Sequence, residues 1–285
     1  MKHIFIGILT LFLFLGCKKQ PIPAFISIDN FQLVNNPTVP NSVEGELTQD
    51  IDFVLLYVNG NNLGYYELPI RVPVLAEGVA SIKLYPCVKQ NGISGTVIDY
   101  PFYKSFDTTL NLVPEAEYSL SPTTMYTDNI STWIMDFEGA NSLNSQPNSV
   151  VDMIKITDTT HVKYGTGCGY VHLTTTDSMW NARTSSLATP SGKIWVELDY
   201  KISNTVLNTF VAGYSGGLSD EYPYLYLNPE TSSLTEWKKI YIDFTENRSA
   251  ITDALYYEAG FTAILDPDKT FSDIYFDNVK IIYFQ

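Results

Sequence analysis

The chain has 285 residues, with 17 Lys and Arg set against 31 Asp and Glu for a formal net charge of −14. That balance argues against a nucleic-acid partner, which wants a basic face. A hydrophobic content of 45% rules out a disordered chain, and 20 Tyr, 15 Phe, 17 Gly and 15 Pro point to β-structure broken by many turns.

The first element is a leader. Met1-Lys2-His3 gives a short positive start, and Ile4 to Gly16 is apolar apart from Thr10. This run is too short for a bilayer that needs about 20 residues, so 1–16 reads as a cleaved signal peptide. Leu13-Phe14-Leu15-Gly16-Cys17 resembles the bacterial lipoprotein box. The resemblance implies that Cys17 is acylated, becomes the new N-terminus and ties the protein to a membrane. Two or three acyl chains make such an anchor stable. Lys18-Lys19-Gln20 lacks the Asp that retains many lipoproteins at the inner membrane, so the expected address is the outer membrane, lipid-anchored at the cell surface. Residues 17–23 form a short tether that holds the next domain close to the membrane.

From 24 to 122 short strands alternate with turns. "FISIDNFQLV", "DFVLLYVNGNNLGYYELP", "ASIKLYPCVKQNGI" and "TTLNLVPEAEYSLSP" follow one another with no amphipathic helix between them, and Asn59-Gly60 is a strong hairpin signal. The spacing predicts an Ig-like β-sandwich. Val58-Asn59-Gly60, Leu63-Gly64 and Glu77-Gly78 before Ile82 resemble the PEGA type of small sandwich. The pattern through "YPFYKSF" resembles surface lipoproteins of Bacteroidetes without assigned activity. Asp107-Thr108-Thr109, Asp158-Thr159-Thr160 and Asp177-Ser178-Met179 resemble the O-glycosylation triplet of that group.

Residues 123–132 are polar and unpatterned and are expected to be a linker. The segment 133–285 reads as a second all-β domain. In "KIWVELDYKI", Ile194, Val196, Leu198, Tyr200 and Ile202 take the inward phase, leaving Trp195, Glu197, Asp199 and Lys201 outward. "WKKIYIDFTE" alternates in the same way, and the last strand slips phase at Asp277-Asn278, as a bulge would produce. "WIMDFEG", the "WKKIYIDF" strand and "IYFDNVKI" together resemble the jelly-roll domains of carbohydrate-binding modules. The fold expected is therefore all-β, an N-terminal Ig-like sandwich followed by a C-terminal jelly roll.

That family often holds a structural Ca²⁺, and the resemblance maps its ligands to Glu138 and Asp277, with Asp136 as a helper. A sugar platform would need exposed rings beside polar groups. Tyr214, Tyr222 and Tyr224 lie near Asp220 and Glu221, and Trp180 lies in "DSMWNAR". Gly213-Tyr214-Ser215-Gly216-Gly217 fits G-x-S-x-G, but turn and strand follow it where the hydrolase elbow has a helix, and no His occurs after His172. The mature chain holds only His161 and His172, without H-E-x-x-H or paired Cys, so neither a transition-metal site nor a Cys-His nucleophile is supported. Cys87 and Cys168 read as buried free thiols. The sequence thus points to a non-catalytic outer-membrane lipoprotein. Its first expected role is an accessory subunit beside an outer-membrane β-barrel protein, and the alternative is glycan binding through the jelly roll.

Overall fold

The computed structural model describes residues 21–139, 143–190, 192–229 and 236–284. The signal peptide and Cys17 lie outside the described residues. The first half contributes β1 (Ala24–Ile28), β2 (Gln32–Leu33), β3 (Phe53–Val58), β4 (Asn61–Glu67), β5 (Ile70–Val74), β6 (Gly78–Lys89), β7 (Val97–Asp99), β8 (Phe106–Leu112), β9 (Glu117–Leu120) and β10 (Thr123–Thr124), with a helical turn α1 (Asn41–Glu44). One sheet runs β5-β1-β9 and the other β4-β3-β6-β7, with β8 also on β6. Ile26, Ile28 and Val72 of the first sheet pack with Val54, Leu56, Ile82 and Leu84 of the second. This is the Ig-like sandwich. Its β3–β4 hairpin turns on Asn59 (φ 52°) and Gly60 (φ 77°), the two positive-φ positions that a two-residue turn demands.

The second half supplies β11 (Ile130–Met135), β12 (Asn144–Ser145), β13 (Ile154–Ile156), β14 (Cys168–Thr174), β15 (Met179–Arg183), β16 (Leu187–Ala188), β17 (Ile194–Ile202), β18 (Val206–Gly213), β19 (Ser219–Leu227), β20 (Lys238–Asp243), β21 (Tyr256–Ile264) and β22 (Phe271–Phe284). A short helix, α2 (Thr245–Ala250), follows β20. These strands form two antiparallel sheets, β13-β14-β22-β17-β20 with β11 on β22, and β12-β15-β21-β18-β19 with β16 on β21. Their facing sides enclose a jelly-roll core that includes Trp180, Phe210, Phe261 and Phe276. The slip at Asp277-Asn278 is a β-bulge: β17 advances from Glu197 to Asp199 while β22 runs from Lys280 to Asp277, and Asn278 takes φ 47°.

The segment expected as a linker carries structure of its own. Thr123 and Thr124 pair in parallel with Gln32 and Leu33, Tyr126 is fully buried, and β11 begins at Ile130. The β-branched threonines suit a strand, and the lone Tyr docks its ring in the first domain's core.

The outward phase of β17 is corrected as well. Trp195, Glu197, Asp199 and Lys201 are all buried: the first domain covers the first three through Tyr100 and Thr48, and the Lys201 ammonium lies over the Tyr275 ring. Trp195, Tyr241 and Ile282 join the first domain's hydrophobic cluster, and the Tyr100 ring meets Trp195 edge-on at 5.3 Å. Glu197 accepts hydrogen bonds from Tyr100 Oη (2.7 Å) and Tyr126 Oη (2.9 Å), with Lys239 Nζ at 3.2 Å and Lys280 Nζ at 3.6 Å. Burial alone would raise the Glu197 carboxyl, but the two ammonium groups and the tyrosine hydroxyls outweigh it and hold it below the ordinary value. Burial pushes Lys280 down to about 8, Glu197 opposing. The two domains are joined by a buried interface in which hydroxyls of the first, Tyr100 and Thr48, donate to carboxylates of the second, Glu197 and Asp199.

Candidate functional site

The β12-β15-β21-β18-β19 sheet has its second face turned away from the jelly-roll core, and the register sets out what stands on it. Rows across the sheet read Asn181–Thr262–Leu207–Tyr226, then Arg183–Gly260–Thr209–Pro223, then Glu258–Val211–Glu221, then Tyr256–Gly213–Ser219. Two of these positions are glycines within strands, which signals close approach by another group. A Cβ on Gly213 would come within 1.9 Å of the Tyr256 ring, so that ring lies directly over the Gly213 backbone. A Cβ on Gly260 would fall 2.2 Å from Thr209 Oγ1. Each glycine makes room for a neighbouring side chain, the Tyr256 ring over Gly213 and the Thr209 hydroxyl beside Gly260.

Arg183 reaches across this face. From β15 its guanidinium crosses β21 and β18 to meet the Glu221 carboxylate on β19, while Nη1 donates to Ser219 Oγ at 3.0 Å and stands 3.7 Å from Glu258. Glu258 also accepts from Ser186 Oγ at 2.7 Å. Arg183 Nε and Thr209 Oγ1 are buried without a hydrogen-bond partner. A loop borders the far row: Gln146 N donates to Asn181 O (2.9 Å), and Asn181 Nδ2 donates to Asn148 Oδ1 (2.9 Å). Tyr226, exposed by 62%, and the half-buried Tyr256 stand at opposite ends. Six residues of β18 separate their partners Leu207 and Gly213, about 20 Å at ~3.4 Å per residue.

The residues singled out in the sequence fall elsewhere. Trp180 is fully buried, its ring stacked on Phe261 and edge-on to Phe276, so it is a core residue and not a sugar platform. Tyr222 and Tyr224 pack against the same core, and Tyr224 Oη donates to Asp243 O. Tyr214 lies beside them, where its hydrogen bond with Tyr222 pushes the phenol up to about 12. Tyr226 and Tyr256 were missed. A bulge explains the first: Asn208 pairs with Leu225 but Thr209 with Pro223, so Tyr224 is the extra residue and the phase of β19 flips beyond it. The strand glycines Gly213 and Gly260 were the signal for the second.

Glu138 and Asp277 both address the loop 164–167. Glu138 accepts from Thr166 N (2.7 Å), Thr166 Oγ1 (2.6 Å) and Gly167 N (3.1 Å), and the Thr166 hydroxyl leads in lowering its pKa. Asp277 accepts from Tyr164 N (3.1 Å) and Asn278 N (2.9 Å), with burial pushing its carboxyl up to about 7. Asp136 Oδ1 instead accepts from Glu138 N (3.0 Å), and Lys155 Nζ donates to the Glu138 carbonyl (2.9 Å). Among the described residues no group of three or more His, Cys, Asp or Glu is placed to hold a metal. His172 Nδ1 lies 2.8 Å from Asp273, and His161 stacks on Tyr275. Cys87 and Cys168 are buried free thiols, each pushed up to about 12 by burial.

No protein-family model matches the chain, and no curated protein matches it. Among solved structures it is similar to the family 11 carbohydrate-binding module from Clostridium thermocellum, solved with a β-1,3-1,4-mixed-linked tetrasaccharide. That match has 18% identity over 54% of this chain and 95% of the module, with a TM-score of 0.38. The C-terminal family 22 carbohydrate-binding module of Clostridium thermocellum Xyn10B matches at 15% identity over 52% of this chain and 90% of its own, with a TM-score of 0.37. A structure described as showing promiscuous specificity of carbohydrate-binding modules from the β-sandwich superfamily covers 80% of this chain and 83% of its own, at 12% identity and a TM-score of 0.32. No ligand is carried over from these likenesses.

Proposed function

We infer that the protein binds an extended glycan, without catalysis, along the outer face of the β12-β15-β21-β18-β19 jelly-roll sheet. The observation that carries this reading is the make-up of that face: a tyrosine ring at each end, and between them Arg183 held by Glu221 and Glu258. Aromatic faces suit the apolar sides of sugar rings, and fixed charged groups are strong partners for hydroxyls. Both carboxylates are engaged by one guanidinium, which favours recognition over proton transfer. The length between Tyr226 and Tyr256 favours an oligosaccharide over a single sugar. With Cys17 acylated, as the leader implies, this face would be carried on the outer membrane. An accessory role beside an outer-membrane β-barrel rests on the short tether alone, and the geometry of the sheet favours the glycan.

The test is a glycan array followed by titration calorimetry on the best ligand. Tyr256→Ala is expected to weaken binding about tenfold through lost ring contact. Arg183→Ala is expected to cost about 10- to 100-fold, the range for hydrogen bonds to a charged group. Binding that both variants retain unchanged, or an array on which nothing binds, would overturn the reading.

A further inference from the structure

A cleft of about 410 Å³ opens where the two domains meet, on the other sheet and away from Arg183. The first domain contributes Asp50, Asp52, Lys89 and Ser94 to its walls; the second contributes Asp199, Tyr200, Trp237 and Lys239. Its floor holds an unsatisfied group. Asp199 is 1% exposed, and its Oδ2 accepts from Thr48 Oγ1 (2.6 Å) and Asn278 Nδ2 (3.2 Å), but Oδ1 has no hydrogen-bond partner. A buried carboxylate oxygen left unpaired is costly, so this position calls for a donor from outside the chain.

The lining also defines what that donor belongs to. Asp50, Asp52 and Asp199 face four ammonium groups, those of Lys89, Lys163, Lys238 and Lys239. Lys89 is spoken for by Asp52, and Lys239 stands 3.2 Å from Glu197 and 3.8 Å from Asp199. Charges of both signs are thus interleaved around the cleft, three carboxylates with four ammonium groups, which favours a ligand that both donates and accepts over a simple ion. A neutral molecule rich in hydroxyls can donate to the carboxylates and accept from the ammonium groups at once. The half-buried indole of Trp237 offers the face against which the CH side of a sugar ring packs.

We propose that the interdomain cleft is a second carbohydrate site, which takes one neutral sugar residue between Trp237 and the Asp199 carboxylate. Only the ligand class rests on the function proposed above; the residues are different, and both domains supply them. The site therefore exists only while the domains are docked.

Saturation-transfer NMR on the intact protein tests this, with glucose, galactose, mannose, xylose and N-acetylglucosamine as probes at tens of millimolar. At least one sugar is expected to give a signal that Trp237→Ala and Asp199→Asn abolish and Tyr256→Ala leaves intact. Asp199→Asn keeps an oxygen for Thr48 and Asn278 while turning the cleft-facing acceptor into a donor. Trp237→Ala changes a half-buried rim position and decides the matter if Asp199→Asn fails to fold. Silence from the whole panel, or a signal that both cleft variants retain, would overturn the proposal. A signal lost only in Tyr256→Ala would place the sugar on the outer sheet, rejecting the cleft while leaving the proposed function standing. Loss of oligosaccharide binding in Tyr256→Ala with the monosaccharide signal preserved would establish two separate sites.

Discussion

Glu197→Ala is expected to lower the free energy of unfolding by about 3–5 kcal/mol, the cost of breaking a buried ion pair from one side. Against a total stability of roughly 5–15 kcal/mol for a domain, that is a large fraction. The size follows from what the carboxylate satisfies. Removing it leaves Lys280 beneath the first domain with Tyr126 Oη, 2.7 Å away, as its hydrogen-bond partner, and strips Tyr100 Oη of its acceptor. Lys239 suffers less, because Asp199 stands 3.8 Å away and Thr48 Oγ1 at 2.9 Å. Urea denaturation read by fluorescence checks the number. Lys280→Met placed on Glu197→Gln should recover part of the loss, since it removes the charge that the first change leaves unpaired. A loss below about 1 kcal/mol would show that water reaches the network and that the interface is looser than its burial implies.

The same interface explains what was legible in the sequence and what was not. The alternation of β17 and β20 gave the correct inner faces of the jelly roll, since Ile194, Val196, Leu198 and Ile242 all lie in its core. Alternation reports two faces, and it assigns the polar one to solvent by default. Here that face, with Trp195, Glu197 and Asp199, is covered by another domain, and only the tryptophan in the series hinted at it. The bulge at Asp277-Asn278 was visible because apolar residues on both sides of it keep strict phase. The bulge at Tyr224 was invisible because Tyr222, Tyr224 and Tyr226 share one spacing, and tyrosine is at home on either face. Tyr222 and Tyr224 therefore pack against the core, while Tyr226 of the same strand pairs with Leu207 on the other face. Tyr256 could have been reached from Gly213 and Gly260, whose places inside strands need a reason.

Trp180→Ala carries the second large effect, and it separates the core from the binding face. Trp180 has zero exposure, lies 5.6 Å from the Phe276 ring in an edge contact and 6.5 Å from Phe261 in a stacked one, and sits between the two sheets. Truncation removes an indole from a packed interior, and the expected loss is about 3–5 kcal/mol from lost transfer energy and the cavity left behind. A platform tryptophan behaves in the opposite way: its removal abolishes binding and leaves the melting temperature in place. The measurement is a pair of numbers on one protein, the unfolding free energy and the affinity for the best array glycan at a temperature where the variant stays folded. A large stability loss with affinity within about threefold of wild type is the expected pattern. Trp180→Phe sharpens it, since the indole Nε1 is buried without an acceptor. Phenylalanine keeps most of the apolar volume and removes that unsatisfied donor, so it should cost well under half as much as alanine. Unchanged stability with lost binding in both variants would return Trp180 to the surface and move the candidate site with it.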